Sequence, residues 1–167
     1  MAKKLEGAGL RGQVAGQTSL STVGKEGHGL TYRGYAIEDL AEKANFEEVA
    51  FLLLYGQLPN KTELVTYQKK LISNRKLPDE LKKTLELIPA SAHPMDVMRT
   101  CCSVLGNVEP EGDFSNQNDI ADRILAILPS IICYWYRFSH DGLSVDTETS
   151  HETIGGQFLS LLTGKEP

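Results

Sequence analysis

The chain has 167 residues, 41% of them hydrophobic and 23% charged, which suits one folded globular unit and excludes a disordered tail. Against 22 acidic side chains stand 17 basic ones, a formal charge of −5, so the overall balance carries no attraction to nucleic acid or anionic lipid. The longest apolar runs, Val49 to Tyr55 and Ile131 to Tyr136, are far shorter than the roughly 20 residues a membrane-crossing helix needs.

Met1 to Gly7 carries lysines with no apolar stretch behind them, so no secretory leader is expected and the expected location is the cytoplasm. Eight of the fifteen glycines stand at or before Gly34, which makes residues 1–34 a poor helix former. Within that segment Thr18 to Val23 and Leu30 to Tyr32 have extended preference, and the glycine-rich run from Gly24 to Gly29 between them has turn chemistry. A short β-hairpin is expected there. From Tyr35 the chain changes character, and residues 35–167 are expected to fold as six or seven helices.

Asn45, with Glu48 three residues on, forms a capping box before the face Phe46, Val49, Ala50, Leu53 and Leu54, and Gly56 closes the helix. Phe51, Leu52 and Tyr55 make this helix apolar nearly all round, so it is expected at the centre of the fold. Asn60 and Glu63 repeat the box before a stripe of Leu64, Val65, Gln68, Leu71 and Ile72. Pro78 opens a helix carrying Leu81, Leu85 and Ile88, closed by Pro89. Pro94 opens another with Val97, Met98, Cys101, Cys102 and Leu105 on one side, and Gly106 is expected to stop it. Val108 to Asn118 reads as a surface loop. A long helix then begins near Asp119, with Ile120, Ile124, Ile127, Leu128, Ile131 and Trp135 on its apolar side. Pro129 lies inside that pattern, where a proline costs roughly 3 kcal/mol unless the helix bends, so a bend is expected. After a polar connection, Ile154, Phe158, Leu161 and Leu162 mark a last helix capped by Gly164.

The chemistry-bearing residues form no catalytic set. Gly7, Gly9 and Gly12 match the spacing of a dinucleotide-binding turn, but the strand before it and the helix opening on it are missing. His28, His93, His140 and His151 stand apart without the i, i+4 spacing of zinc ligands, so no metal site is expected. Cys101, Cys102 and Cys133 are odd in number and lie in apolar stripes, which fits core thiols in a reducing compartment. Asp141 beside His140 points a different way from its neighbour and founds no triad. Lys69, Lys70, Arg75, Lys76, Lys82 and Lys83 read as a solvated basic face, with an anion contact as the functional alternative.

Several long strings are nevertheless distinctive: the run from Gly9 to Thr18, Leu30 to Ala41 and Phe46 to Pro59 resemble the amino-terminal part of the citrate synthase family. The strings from His93 to Thr100, Tyr134 to Gly142 and Glu152 to Pro167 resemble its bacterial 2-methylcitrate synthase branch. The resemblance implies an all-α fold, the helical large domain of that family with a short amino-terminal hairpin, in a homodimer. It implies an acyltransferase that condenses propionyl-CoA with oxaloacetate and water, with acetyl-CoA as the alternative donor and no covalently bound cofactor. Coenzyme A would enter as the substrate thioester.

An Asp and two His do the family's chemistry, and nothing in this sequence matches their motifs, so His93 and His140 are not assigned to it. The chain is therefore expected to be an amino-terminal portion cut before the catalytic half, inactive alone. By the same resemblance Arg11 is a candidate contact to coenzyme A and Lys61 a candidate substrate contact. Lys61 sits in the first turn of a helix, where its charge opposes the dipole unless an anion is near. A non-catalytic helical binding or dimerisation module built on the same scaffold is the reading from another class.

Overall fold

The computed structural model describes residues 14, 16–22 and 29–165. Arg11, the Gly7-Gly9-Gly12 spacing, His28 and most of the glycine-rich turn lie outside the described residues.

A short antiparallel hairpin is present, but its strands are β1 (Thr31–Tyr32) and β2 (Tyr35–Ala36), with Thr31 opposite Ala36 and Tyr32 opposite Tyr35. Its two-residue loop is Arg33-Gly34, with φ of 50° and 92°. A tight hairpin loop that follows the strand twist needs positive φ at both positions, which glycine adopts freely. In the described part of the segment expected to supply the other strand, Ser21 bridges Tyr32, the Thr22 N–H donates to the Thr31 carbonyl at 3.3 Å, and the Leu20 carbonyl accepts from the Arg33 N–H at 2.9 Å. The hairpin is pinned to the helices by the Arg33 guanidinium, which donates to Ser19 Oγ at 2.8 Å and to the Leu53 carbonyl at 3.0 Å.

Seven α-helices follow among the described residues: α1 (Ile37–Lys43), α2 (Phe46–Tyr55), α3 (Lys61–Ser73), α4 (Asp79–Leu87), α5 (Pro94–Val108), α6 (Gln117–Asp141) and α7 (Ile154–Thr163). A single 3₁₀ turn, Phe114–Asn116, leads into α6. Both capping boxes form as expected. Asn45 accepts from the Glu48 N–H at 2.9 Å while Glu48 Oε2 accepts from the Asn45 N–H at 2.8 Å, and Asn60 and Glu63 make the same exchange. Each cap satisfies backbone donors that the first turn leaves over, which fixes where α2 and α3 begin.

The central helix is α6, not α2. The helix α2 buries Leu52 completely but leaves Phe46 56% exposed, and its other apolar side chains are half-buried. In contrast α6 packs against α3, α4, α5 and α7. The main core joins Leu81 and Leu85 of α4, Val97, Cys101 and Leu105 of α5, and Ile127, Ile131, Tyr134 and Trp135 of α6, with Leu77 from the preceding loop. Each such side chain removed from water contributes about 1.5–3 kcal/mol. The buried tips find partners: Trp135 Nε1 donates to the Ile88 carbonyl at 3.3 Å, and the Tyr134 hydroxyl donates to Glu86 Oε1 at 2.7 Å.

Four local expectations change. On α3 the fully buried positions are Tyr67 and Leu71, and Val65 is 50% exposed, because the helix turns its tyrosine toward α6. The helix α5 runs through Gly106 to Val108, since one glycine in a helix costs only about 1 kcal/mol. Cys102 lies off the buried face of α5 and is exposed, whereas Cys101 and Cys133 are buried as expected. The helix α6 begins at Gln117 and continues unbroken past the buried Pro129 to Asp141, with Gly142 as its left-handed cap. No described helix is long and apolar enough to cross a membrane.

The basic face expected from Lys69 to Lys83 is not a single surface. Arg75 is fully buried and holds the segment that enters α7, donating to the carbonyls of Thr149 (3.2 Å), His151 (2.6 Å) and Thr153 (3.4 Å). Lys76 pairs with Glu148 at 3.4 Å across an exposed gap. Burial lowers the Arg75 pKa from its ordinary value, and the Glu47 carboxylate works in the opposite direction. Glu47, itself 1% exposed, accepts from the Ile154 N–H at 2.7 Å at the start of α7. Replacing Arg75 by Met strips three carbonyls of their donors and leaves Glu47 buried without its counter-charge. The Arg75→Met protein is expected to lose about 3–5 kcal/mol in urea denaturation. A loss within about 0.5 kcal/mol of zero, the range of an ordinary surface substitution, would show that the clamp carries no weight.

Candidate functional site

Lys61, the expected substrate contact, is the first residue of α3 and is exposed. The Asn60 side chain that precedes it already accepts from the Thr62 and Glu63 N–H groups at 2.9 and 3.0 Å, so the open end of α3 is partly satisfied by its own cap. The structure does not bring Lys61 into any of the clefts described below. His93 caps α5, its Nδ1 accepting from the Met95 N–H at 3.2 Å. His140 lies in the last turn of α6, stacked on Tyr136 with ring centres 4.4 Å apart. The described residues contain no group of three or more acidic, histidine or cysteine side chains arranged to hold a metal.

The densest polar assembly is one that sequence reasoning missed. Asp122, on α6, is fully buried, and its carboxylate takes bonds from three side chains on two other helices. The Tyr67 hydroxyl donates at 3.0 Å, Lys70 Nζ at 2.5 Å, and the Tyr55 hydroxyl completes the set. Lys70 also reaches Asp119, one turn earlier on α6, at 2.6 Å. Phe51, Tyr55 and Tyr67 pack around this group at ring-centre distances of 4.5 to 5.9 Å. Burial works against the Lys70 charge, but the hydrogen bonds to Asp119 and Asp122 outweigh it and hold the Lys70 pKa above its ordinary value. Burial first, and then the Asp122 charge and hydrogen bond, push the Tyr67 phenol well above its usual range. Both tyrosines therefore stay protonated donors at neutral pH. The signal that could have found the assembly is Asp122 in the mostly apolar stretch from Ile120 to Ile127, a carboxylate that demands partners once buried.

The two buried thiols are inert for the same reason of burial, which pushes Cys101 up to about 11 and Cys133 up to about 12. A nucleophilic cysteine needs the opposite shift.

Two clefts flank α6. One, of about 510 Å³, lies between the end of α5 and the start of α6; its lining includes Cys102, Glu109, Asn116, Asp119 and Arg123. Arg123 is engaged there, donating to Glu109 at 2.9 and 2.7 Å, and that bond holds Glu109 below the usual carboxylate range. The other, of about 640 Å³, is walled by Phe46, Val49, Ala50, Leu53 and Leu54 of α2 and by Ala121, Ile124, Leu125 and Leu128 of α6, with Tyr32 of the hairpin. Neither brings together a base and a donor pair of the kind acyl transfer requires.

Residues 9–167 match the family model described as citrate synthase, C-terminal domain. The chain belongs to the citrate synthase family. It is 66% identical, over 99% of its length, to the 2-methylcitrate synthase of Shewanella oneidensis, of which it covers 44%. Citrate synthase from Pyrobaculum aerophilum superposes with a TM-score of 0.81 at 30% identity, over 95% of this chain and 42% of that one. The fold is also that of the Thermoplasma acidophilum citrate synthase in its ternary complex with carboxymethyl coenzyme A and oxaloacetate, with a TM-score of 0.81 at 22% identity. The chain thus spans less than half the length of the family members it matches. Within this citrate synthase segment the buried Asp122 carboxylate links α2 and α3 to α6. Replacing Asp122 by Asn is expected to cost about 3–5 kcal/mol, because Lys70 then keeps a half-buried charge beside a neutral amide. The exposed Asp119→Asn change should cost less than about 1 kcal/mol, and equal losses at the two positions in thermal and urea melts would contradict this assignment.

Proposed function

We propose that these residues are the amino-terminal portion of a 2-methylcitrate synthase, the acyltransferase that joins propionyl-CoA to oxaloacetate and releases coenzyme A by water. The observation that carries the reading is the 66% identity to the Shewanella oneidensis enzyme across 99% of the chain. In this reaction a base removes a proton from the carbon next to the thioester carbonyl, and the resulting carbanion attacks the ketone of oxaloacetate. Water then cleaves the thioester. Hydrogen-bond donors must stabilise the enolate oxygen and polarise the ketone.

The resemblance to the family assigns those tasks to an Asp and two His in the remaining length of the parent chain. The part described here is a rigid helical scaffold: α6 is fixed by Asp122 and by the α4 and α5 core, and α7 by Arg75 and Glu47. Such a scaffold suits the half of an enzyme that positions rather than reacts, since catalytic groups lose rate with displacements near 1 Å. The same reading places the parent enzyme in the cytoplasm as a homodimer, with Arg11 as a contact to the coenzyme A phosphates and Lys61 as a substrate contact. Citrate synthase activity with acetyl-CoA is the second reading, favoured by the citrate synthase identity of the matched crystal structure.

Steady-state kinetics of the full-length enzyme decide between the donors. The expected result is a kcat/KM for propionyl-CoA well above that for acetyl-CoA. A strong preference for acetyl-CoA would overturn the 2-methylcitrate reading, because the two donors differ by one methylene, worth only about 1–3 kcal/mol in a fitted pocket. In the same assay Lys61→Ala is expected to raise KM several-fold with kcat and thermal stability unchanged, and an unchanged KM would remove Lys61 from the substrate contacts.

A further inference from the structure

Pro94 opens α5 and brings no N–H, so the backbone donors of its first turn are those of Met95, Asp96 and Val97. All of them end on His93. Its carbonyl accepts from the Asp96 and Val97 N–H groups at 2.8 and 3.2 Å, and its side chain takes the remaining one, Nδ1 accepting from the Met95 N–H at 3.2 Å. Where other described α-helices carry a side-chain cap, the acceptor belongs to Asn45, Asn60 or Thr153, groups that do not titrate. An imidazole nitrogen accepts only while it carries no proton, so the cap of α5 needs a neutral ring with its proton on Nε2.

We propose that His93 is a pH-sensitive cap that closes the first turn of α5 when neutral and opens it when protonated. Protonation turns Nδ1 into a donor facing the Met95 donor, and it sets a positive charge at the positive end of the helix dipole. The cap is therefore present above the range in which a histidine titrates, ordinarily near pH 6.5, and is lost as the pH falls through that range. The turn it closes leads directly into the core, since Val97 is 1% exposed and packs with α4 and α6.

The charged groups around this turn are engaged elsewhere. On α5 itself, Asp96 and Arg99 pair at 3.1 Å. The connection from α4, Ile88 to Ala92, contains no titratable side chain, and Glu86 before it accepts from the Tyr134 hydroxyl at 2.7 Å. On α6, His140 stacks on Tyr136 and meets Trp135 edge-on, and Trp135 Nε1 in turn donates to the Ile88 carbonyl. Among the described residues no ion pair or ring contact joins any of these groups to His93.

The test is hydrogen–deuterium exchange of the full-length enzyme at about pH 7.5 and about pH 5.5, read on the peptide that carries the Met95 to Val97 amides and corrected for the intrinsic pH dependence of exchange. The expected result is a loss of protection of about three- to tenfold at the lower pH, the size of losing one N-cap bond. His93→Asn keeps an acceptor that does not titrate and is expected to show equal protection at both pH values; His93→Ser serves the same purpose should the Asn variant misfold. The first turn of α4, which has no side-chain cap, is the internal reference and is expected not to respond. A wild-type enzyme with equal protection at both pH values would overturn the proposal. So would the same loss in His93→Asn or in the first turn of α4, or a response abolished by His140→Asn, since each assigns the effect to another group. Acyl-CoA turnover does not enter the readout, so this cap and the functional reading stand or fall separately.

Discussion

The Asp122 carboxylate is the constraint from which the arrangement of the first helices follows. A fully buried carboxylate is costly unless several donors reach it, and here Tyr55 of α2 and Tyr67 and Lys70 of α3 reach it together. Full burial among these helices is limited to Tyr67, Leu71 and Ala126, with Ala50, Phe51, Tyr55, Leu125 and Ile154 packed partly buried around them. Non-directional packing of that size would tolerate sliding or rotation, whereas three hydrogen bonds from two helices do not. Lys70 adds a second point of attachment one turn away at Asp119, so the junction resists rotation about a single pair. The same geometry explains why α3 turns Tyr67 inward and leaves Val65 half exposed.

A second buried charge does for the carboxyl-terminal end what Asp122 does for the other. The connection from Gly142 to Thr153 has no regular structure to satisfy its carbonyls, and Arg75 supplies donors to three of them. Glu47 meets the backbone N–H that opens α7, where a carboxylate also complements the helix dipole. Because Arg75 and Glu47 lie near one another, each limits the cost of burying the other. Long-range order in this segment thus depends on residues far apart in sequence: position 47 with 154, 75 with 149 to 153, and 55, 67 and 70 with 122.

That dependence marks the boundary of what the sequence makes legible. Helix starts set by local chemistry, at Asn45, Asn60, Pro94 and the αL caps Gly56 and Gly164, are readable because cap and helix are neighbours in the chain. The central position is not readable. An all-round apolar α2 implies burial on every side, yet among the described residues its groove wall is open, and α6, which carries more polar residues, is the helix that is surrounded. The basic cluster misleads for a similar reason. Nothing local to Arg75 or Lys70 announces that one will be buried beneath residues 149–153 and the other drawn to α6. The described hairpin turns at Arg33-Gly34, where both φ are positive, rather than at the glycine-rich run before it, most of which lies outside the described residues. Of the candidate site residues, Arg11 falls outside the described residues and Lys61 stands exposed, so both rest on family resemblance rather than on geometry.

Across the described residues, buried polar contacts tie helices far apart in sequence to one another. Buried ion pairs serve such ties better than extra leucines if they couple helices specifically. The most direct test is a double-mutant cycle between Lys70→Met and Asp122→Asn in the full-length protein, read by urea denaturation. If the two side chains act as one unit, the second substitution costs less once the first is made, with a coupling of about 1–3 kcal/mol. Additive losses, within about 0.3–0.5 kcal/mol, would mean that the charges are independent and that packing alone positions α3 on α6.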